Sequence, residues 1–339
     1  MEKKKYRLNI LLIVAISFLV IYLSLKDNFD STISHILKAN FIFIICAFLV
    51  MFLAYVFQSI SLYLLIKKVD KNYKYRDAFI LTIAGLFFNA ITPCSSGGQP
   101  FQIYMLSKQN VKVGDAGNIL LQNFITYQSA LIIVGTFAIV MNYMFGIFPS
   151  SSLLKQIVFL GYLINVTVLI FIVVFSYAKK LNTTLFNKVF DFLFKFKLLK
   201  NKTKRRKKLN EMLDNFYEGS VSLKKNKDVF CKSFIFNFLA LLCIYSIPLL
   251  IFYSLGDFKS LSLRNSIVSS GYTYLIGSFV PIPGSAGGLE FGFNEFFSVF
   301  RNGGFLSACL LIWRFITYYF GMIIGGISLL YSRGEEKWE

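Results

Sequence analysis

The sequence is short of charge, and above all of acids. Only 16% of its 339 residues are Asp, Glu, Lys or Arg, against about 25% in soluble globular proteins, and 17 acids face 36 bases for a formal charge of +19. There is a single histidine, His35, placed in a polar stretch and expected to be solvated. One histidine excludes a multi-His metal site, and its place in a polar stretch argues against a His-based triad. The five cysteines are scattered without a CxxC pair, and their odd number argues against a disulfide framework. No metal or cofactor is expected. What is present in excess is apolar: 56% hydrophobic residues, 39 of them Phe. That content excludes disorder. A soluble nucleic-acid binder would account for the charge but not for apolar runs of 16 to 27 residues. The class is a multi-pass membrane protein. Enrichment in Phe, Ile, Asn, Lys and Tyr also resembles translation of an A/T-rich genome.

The location of the basic residues predicts the topology. Residues 1–9 carry a net +3, residues 67–77 another +3 and residues 179–228 a net +10, together +16 of the +19. Basic loops mark the cytoplasmic side, so all three segments are expected there. Apolar runs at 10–25, 41–66, 119–145, 153–178, 230–255 and 305–331 give six full spans. The run at 10–25 has no small-residue cleavage pattern after it and reads as a first transmembrane helix. Because 67–77 and 179–228 share a side, the chain between them must cross an even number of times. The spans 119–145 and 153–178 supply two crossings, so 78–106 must return to the side it left. Its halves flank Thr92-Pro93-Cys94-Ser95-Ser96-Gly97-Gly98-Gln99-Pro100 and are each too short to span. A re-entrant hairpin follows. Residues 266–300, broken at Pro281-Ile282-Pro283-Gly284-Ser285-Ala286-Gly287-Gly288, form a second one, entering from the opposite face. The expected architecture is all-α: a polytopic membrane protein with about six full transmembrane helices plus two opposed re-entrant helical hairpins, pseudo-symmetric. Residues 1–178 form the first half, 179–228 a basic amphipathic cytoplasmic loop and 229–339 the second half, with both termini cytoplasmic.

The two breaks share a pattern. Pro93-x-Ser95-x-Gly97-Gly98 recurs as Pro283-x-Ser285-x-Gly287-Gly288, 190 residues later. Paired interrupted helices in corresponding halves point to a transporter binding site. Non-helical backbone at membrane depth must be buried in protein or line a cavity. Proline ends one half-helix, glycine permits the turn, and the next half-helix begins with free N–H groups that attract anions. The expected binding residues are Ser95, Ser96, Gly97, Gly98, Gln99 and Gln102 from the first loop, and Ser285, Gly287, Gly288 and Glu290 from the second. Arg314, in mid-helix, joins them. A charge at membrane depth faces a partner or a wet cavity; Arg314 could bind a lipid phosphate or pair with Glu290. Tyr318 and Tyr319 read as packing residues, and Gly321-x-x-x-Gly325 as a close helix contact.

In the basic loop, Leu185, Phe186, Val189, Phe190 and Leu193 among lysines predict an interfacial helix. Residues 200–208 hold seven bases in nine, a cluster that attracts an anionic membrane surface. No nucleic-acid module surrounds it.

Phe88-Asn89-Ala90-Ile91-Thr92-Pro93 with Ser95 to Gln102, Pro281-Ile282-Pro283-Gly284 followed by Glu290, and Trp313-Arg314-Phe315-Ile316-Thr317-Tyr318 resemble the lysylphosphatidylglycerol synthase transmembrane-region family. The likeness runs from about Tyr6 to Tyr331. It implies a flippase-like membrane region moving aminoacylated phosphatidylglycerol between leaflets and contributing to resistance against cationic peptides in a bacterial cell membrane. In bifunctional members a separate cytosolic domain makes that lipid. The chain ends at Glu339, eight residues past the last apolar run, so the flippase part is expected without the aminoacyltransferase. The resulting expectation is a transporter of an anionic or aminoacylated phospholipid, or of another lipid phosphate. A component of aminoacyl-lipid synthesis and a membrane-embedded lipid-linked transferase remain as alternatives, the latter with Glu290 or Glu295 as its base. A phospholipid is the expected substrate; a soluble lipid-synthesis enzyme and a second copy of the chain are left open as partners.

Overall fold

The computed structural model of the chain describes residues 28–92, 95–148, 152–177, 227–277 and 282–332, with a few positions between 184 and 221. The expected helix at 10–25, the residues Pro93, Cys94 and Pro281, and most of the basic loop with its amphipathic stretch lie outside the described residues. The rest is helical, with no strand among the described residues. The elements are α1 (Phe29–Leu37), α2 (Phe41–Val69), α3 (Tyr75–Ile91), α4 (Gly98–Lys108), α5 (Val113–Phe145), α6 (Ser152–Tyr177), α7 (Lys227–Ser254), α8 (Leu263–Gly277), α9 (Gly288–Phe297), α10 (Gly303–Arg314) and α11 (Phe320–Ser332). A single 3₁₀ turn, Pro283–Ser285, precedes α9, and a π turn, Phe315–Tyr319, joins α10 to α11. Among the described residues five helices are long and apolar enough to cross a membrane: Phe41–Val69, Val113–Phe145, Leu154–Val174, Lys227–Ser254 and Gly303–Leu329. Between them sit two helix–break–helix pairs, α3/α4 and α8/α9, whose halves are 17, 11, 15 and 10 residues long.

The 190-residue offset seen in one motif extends through the fold. Helix α4 starts at Gly98 and α9 at Gly288; α5 starts at Val113 and α10 at Gly303. The units α2–α5 and α7–α11 are thus two copies of one arrangement, with α6 as an additional crossing between them. Their central contact is α2 against α7. Asn40 N–H donates to the Ser254 carbonyl at 2.6 Å at one end, and Ser61 and Ser233 hydroxyls meet at 2.6 Å further along, so the two helices run antiparallel. The copies are therefore inverted with respect to each other, the arrangement of many transporter folds.

Glycines show the same relation. A Cβ on Gly325 of α11 would lie 2.7 Å from the Ile83 carbonyl oxygen and 2.8 Å from the Phe87 nitrogen of α3. The close contact predicted for Gly321-x-x-x-Gly325 is thus made with α3 at Gly325, while Gly321 faces the Tyr55 hydroxyl of α2, 2.6 Å from where its Cβ would lie. Its counterpart 190 residues earlier, Gly135 of α5, lies against Leu275 of α8, 3.2 Å from a Cβ there. Each broken pair is held by the long helix that follows the other pair, through a glycine at the same register. Without a hydrophobic drive between helices in lipid, such small-residue contacts supply the packing.

The proline within α7, Pro248, has no N–H to give. That leaves the Ile244 carbonyl without its helical donor, and at the adjacent carbonyl, Tyr245, the hydroxyls of Ser266 at 2.8 Å and Ser270 at 3.2 Å donate from α8. Hydroxyls of a neighbouring helix commonly compensate an interrupted membrane helix in this way.

One local expectation fails. His35 is not a solvated loop residue: it belongs to α1, and its ring meets Phe305 of α10 edge-on at 5.5 Å. The segment reads as polar because the face it lays on α10 is itself polar: Thr32 is buried, Ser31 and Thr32 stand against Gly304 and His35 against Phe305, while Phe29, Ile33 and Leu37 are exposed.

At the end of the molecule reached by α7, Asp257 is 5% exposed and accepts the backbone N–H of Lys259 (3.1 Å) and Ser260 (3.0 Å), while Arg301 Nε donates to it at 2.5 Å. Burial alone would raise this carboxyl's pKa; the Arg301 guanidinium and the two N–H groups outweigh it and hold the value well below the usual range. A depressed folded-state pKa contributes stability above the unfolded value of about 3.9, lost as pH falls below it. In detergent, the unfolding temperature of the wild type should fall more steeply between pH 5 and pH 3 than that of Asp257→Asn. Parallel curves would show that the clip joining the α7–α8 and α9–α10 connections carries no stability.

Candidate functional site

The breaks in the two helix pairs have the same backbone. Ser95 and Ser285 are both left-handed, with φ of 50° and 52°. The Ser95 N–H donates to the Thr92 carbonyl at 3.2 Å, and the Ser285 N–H to the Ile282 carbonyl at 2.9 Å. A non-glycine residue in this region costs about 1–2 kcal/mol, and such strain clusters at ligand sites and switches. That the same residue type carries it at both positions marks the turn as a repeated device.

Three of the four glycine N–H groups after the turns are not free to meet an anion. Gly97 N–H donates to Thr92 Oγ1 and Gly98 N–H to Asn89 Oδ1, each at 2.8 Å. In the second break, Gly287 N–H donates to Glu290 Oε2 at 2.7 Å. The expected anion sites at these two helix starts are thus taken in large part by the chain's own side chains. The first break is capped by neutral groups and the second by a carboxylate. This is the largest departure from the sequence reading.

The cation of the site comes from elsewhere. Arg314, the last residue of α10, sits where the helix widens into the π turn, a feature frequent at functional sites. Its Nε donates to Glu290 Oε1 at 2.5 Å and its Nη2 to the Gly284 carbonyl at 3.2 Å. Both partners of the ion pair are 8% exposed. The pairing of Arg314 with Glu290 is therefore made, while Nη1 of Arg314 has no hydrogen bond to another described residue. The guanidinium lies 5.3 Å from the Tyr318 ring, and the Tyr318 hydroxyl donates to the Ala90 carbonyl of α3 at 3.0 Å. Trp313, stacked on Phe293 at 4.8 Å, fixes α10 against α9 and so sets the Arg314–Glu290 geometry.

A cavity of about 500 Å³ lies between the two breaks. Of the predicted site residues, Ser95, Gln99, Gln102, Ser285 and Arg314 line it. Gly97, Gly98, Gly287, Gly288 and Glu290 stand behind, forming the turns and holding Arg314; Ser96 is exposed and does not line the cavity. Glu295, half-buried on α9, does not line it either. Among the described residues no three His, Cys, Asp or Glu side chains cluster as a metal would need.

Two inverted copies, each with a broken helix pair, and one arginine between the breaks are features to compare with known proteins. The model of the family described as "Lysylphosphatidylglycerol synthase TM region" matches residues 10–325. The chain belongs to this family. A UPF0104 membrane protein of Archaeoglobus fulgidus is 27% identical over 319 residues, 91% of this chain and 92% of that protein. A UPF0104 membrane protein of Methanocaldococcus jannaschii is 31% identical over 109 residues, 32% of each. Both of these relatives are archaeal. As a member of the family with five such spans, the chain is a multi-pass membrane protein.

Within this family member, several site residues carried no signal of their own in the sequence. Tyr55 of α2 is 1% exposed, lines the cavity and leaves its hydroxyl without a hydrogen-bond partner. Gln58 lies one turn further along and also lines it. At the cavity's edge, Asn237 Nδ2 of α7 donates to Ser61 Oγ at 2.9 Å and Thr126 Oγ1 at 2.8 Å, tying α2, α5 and α7 together. The signal available was a polar side chain inside an otherwise apolar span, which in lipid calls for a partner or a ligand.

Proposed function

We propose that the chain moves a phosphate-bearing lipid between membrane leaflets. The observation that carries this reading is Arg314: a nearly buried guanidinium at the junction of two inverted broken-helix pairs, facing a cavity of mixed apolar and polar lining with part of its donor set unused. Guanidinium suits phosphate oxygens, and the acyl chains would stay in the lipid while the headgroup enters. Rocking of one inverted copy against the other about the α2–α7 contact would open the cavity to each side in turn. The name of the family fits a lipid with a phosphodiester headgroup, and Lys- or Arg-rich cytoplasmic segments would draw anionic lipids to that face. The cytoplasmic placement of both termini is part of the same proposal.

Reconstitution checks it. Vesicles holding the protein should exchange acyl-labelled phospholipid between leaflets at least tenfold faster than protein-free vesicles, read by chemical quenching of the outer leaflet. Equal rates for every phosphate-bearing lipid tried would remove the reading.

A further inference from the structure

The lining of the cavity goes further than a phosphate site, and the inference rests on the transport reading above. Among the described residues that line it, Arg314 is the only charged one. No carboxylate of the described residues faces the space: Glu290 stands behind Arg314, one oxygen on the guanidinium and the other on Gly287 N–H. An amine-bearing headgroup entering here would meet a cation and find no anion, at a depth where an unpaired charge is costly. What the walls do offer is amides and hydroxyls. Gln58, Gln99, Ser95 and Ser285 line the cavity without a side-chain hydrogen bond to another described residue. The Tyr55 hydroxyl, nearly fully buried, has no hydrogen-bond partner among the described residues. An orphaned buried hydroxyl is costly, and a ligand hydroxyl would recover that cost. Carboxamides present a donor and an acceptor side by side, the complement of hydroxyl groups that both give and take. The volume, about 500 Å³, lies within the range of pockets that enclose a small-molecule-sized group.

We propose that the headgroup taken is a polyol or sugar phosphate, uncharged apart from its phosphate, with the phosphate on Arg314 and the hydroxyls on the free amides and on Tyr55. Headgroups carrying an amine are disfavoured, lysyl esters among them.

The experiment compares acyl-labelled lipids in vesicles containing the reconstituted full chain. The series is phosphatidylinositol for a polyol, phosphatidic acid for bare phosphate, and phosphatidylethanolamine and lysylphosphatidylglycerol for amines. Phosphatidylinositol should exchange at least tenfold faster than either amine lipid and several-fold faster than phosphatidic acid. Equal exchange of phosphatidic acid and phosphatidylinositol overturns the polyol assignment while transport stands, as does faster exchange of an amine lipid. Exchange of none of the four overturns both this assignment and transport. Gln58→Leu together with Gln99→Leu should bring the phosphatidylinositol-to-phosphatidic-acid rate ratio toward one. A ratio unchanged in a normally folded double variant overturns the placement of the hydroxyls.

Discussion

Arg314→Met should both destabilise the protein and stop lipid exchange, and Glu290→Gln should destabilise it comparably. The two groups are 8% exposed and 2.5 Å apart, so neither is rescued by bulk water when its partner goes. Breaking a buried pair by removing one member typically costs about 3–5 kcal/mol, because the remaining charge is left uncompensated. Replacing both members by neutral groups of similar volume is often close to neutral. The double variant Arg314→Met, Glu290→Gln should therefore recover most of the unfolding temperature lost in either single variant. The amide of Gln can still accept the Gly287 N–H that Glu290 takes at 2.7 Å, so the second break keeps its cap. Lipid exchange should not recover, since the guanidinium is gone. Thermal unfolding in detergent and exchange in vesicles thus separate the two roles. A double variant that is stable and still transports would leave Arg314 a structural residue only; one as unstable as the singles would show that the pair holds the fold through more than its charge balance.

The same pair shows how much of the site could be read from the sequence. Arg314 and Glu290 stood out because a charge inside an apolar run has few explanations, and the structure makes the pairing. The two breaks were legible because Pro, Ser and Gly recur at one spacing; the structure adds that Ser95 and Ser285 share a left-handed backbone. What could not be read is what sits opposite each group. Asn89 and Thr92 fill the glycine N–H groups of the first break, and no periodicity predicts that two polar residues of the preceding turn will reach forward rather than outward. Tyr55 and Gln58 join the site from α2 because α2 runs antiparallel to α7, a relation set by the inversion of the copies and not by local pattern. Boundaries erred for a related reason. The run at 119–145 belongs to a helix that starts at Val113, because Asp115 in the first turn suits the helix start although it ends the apolar run. Hydropathy marks what lipid tolerates, and helices extend beyond it.

Gly98→Ala should be the most damaging single methyl in the first half. A Cβ there would fall 2.5 Å from Asn89 Oδ1 and 2.8 Å from the Gly85 carbonyl oxygen. The amide can swing away, but the carbonyl belongs to the α3 backbone and cannot. Relief requires α4 to move off α3, which breaks the Gly98–Asn89 hydrogen bond and displaces Gln99 and Gln102 at the cavity wall. Overpacking of this kind costs about 1–3 kcal/mol, and the lost cap about 1 kcal/mol more. Gly117→Ala provides the control, since that glycine is helical in α5 and a Cβ there meets nothing within 4 Å. Alanine at 117 should be neutral or stabilise by up to about 1 kcal/mol through helix propensity. The measurement is the unfolding temperature of each variant beside its exchange rate. Gly98→Ala should lower both, and lower exchange more than Asn89→Ala does, because Asn89→Ala removes the cap without forcing α4 from α3. If Gly98→Ala and Asn89→Ala behave alike, the glycine serves only its hydrogen bond, and the closeness of α4 to α3 is not what shapes the cavity.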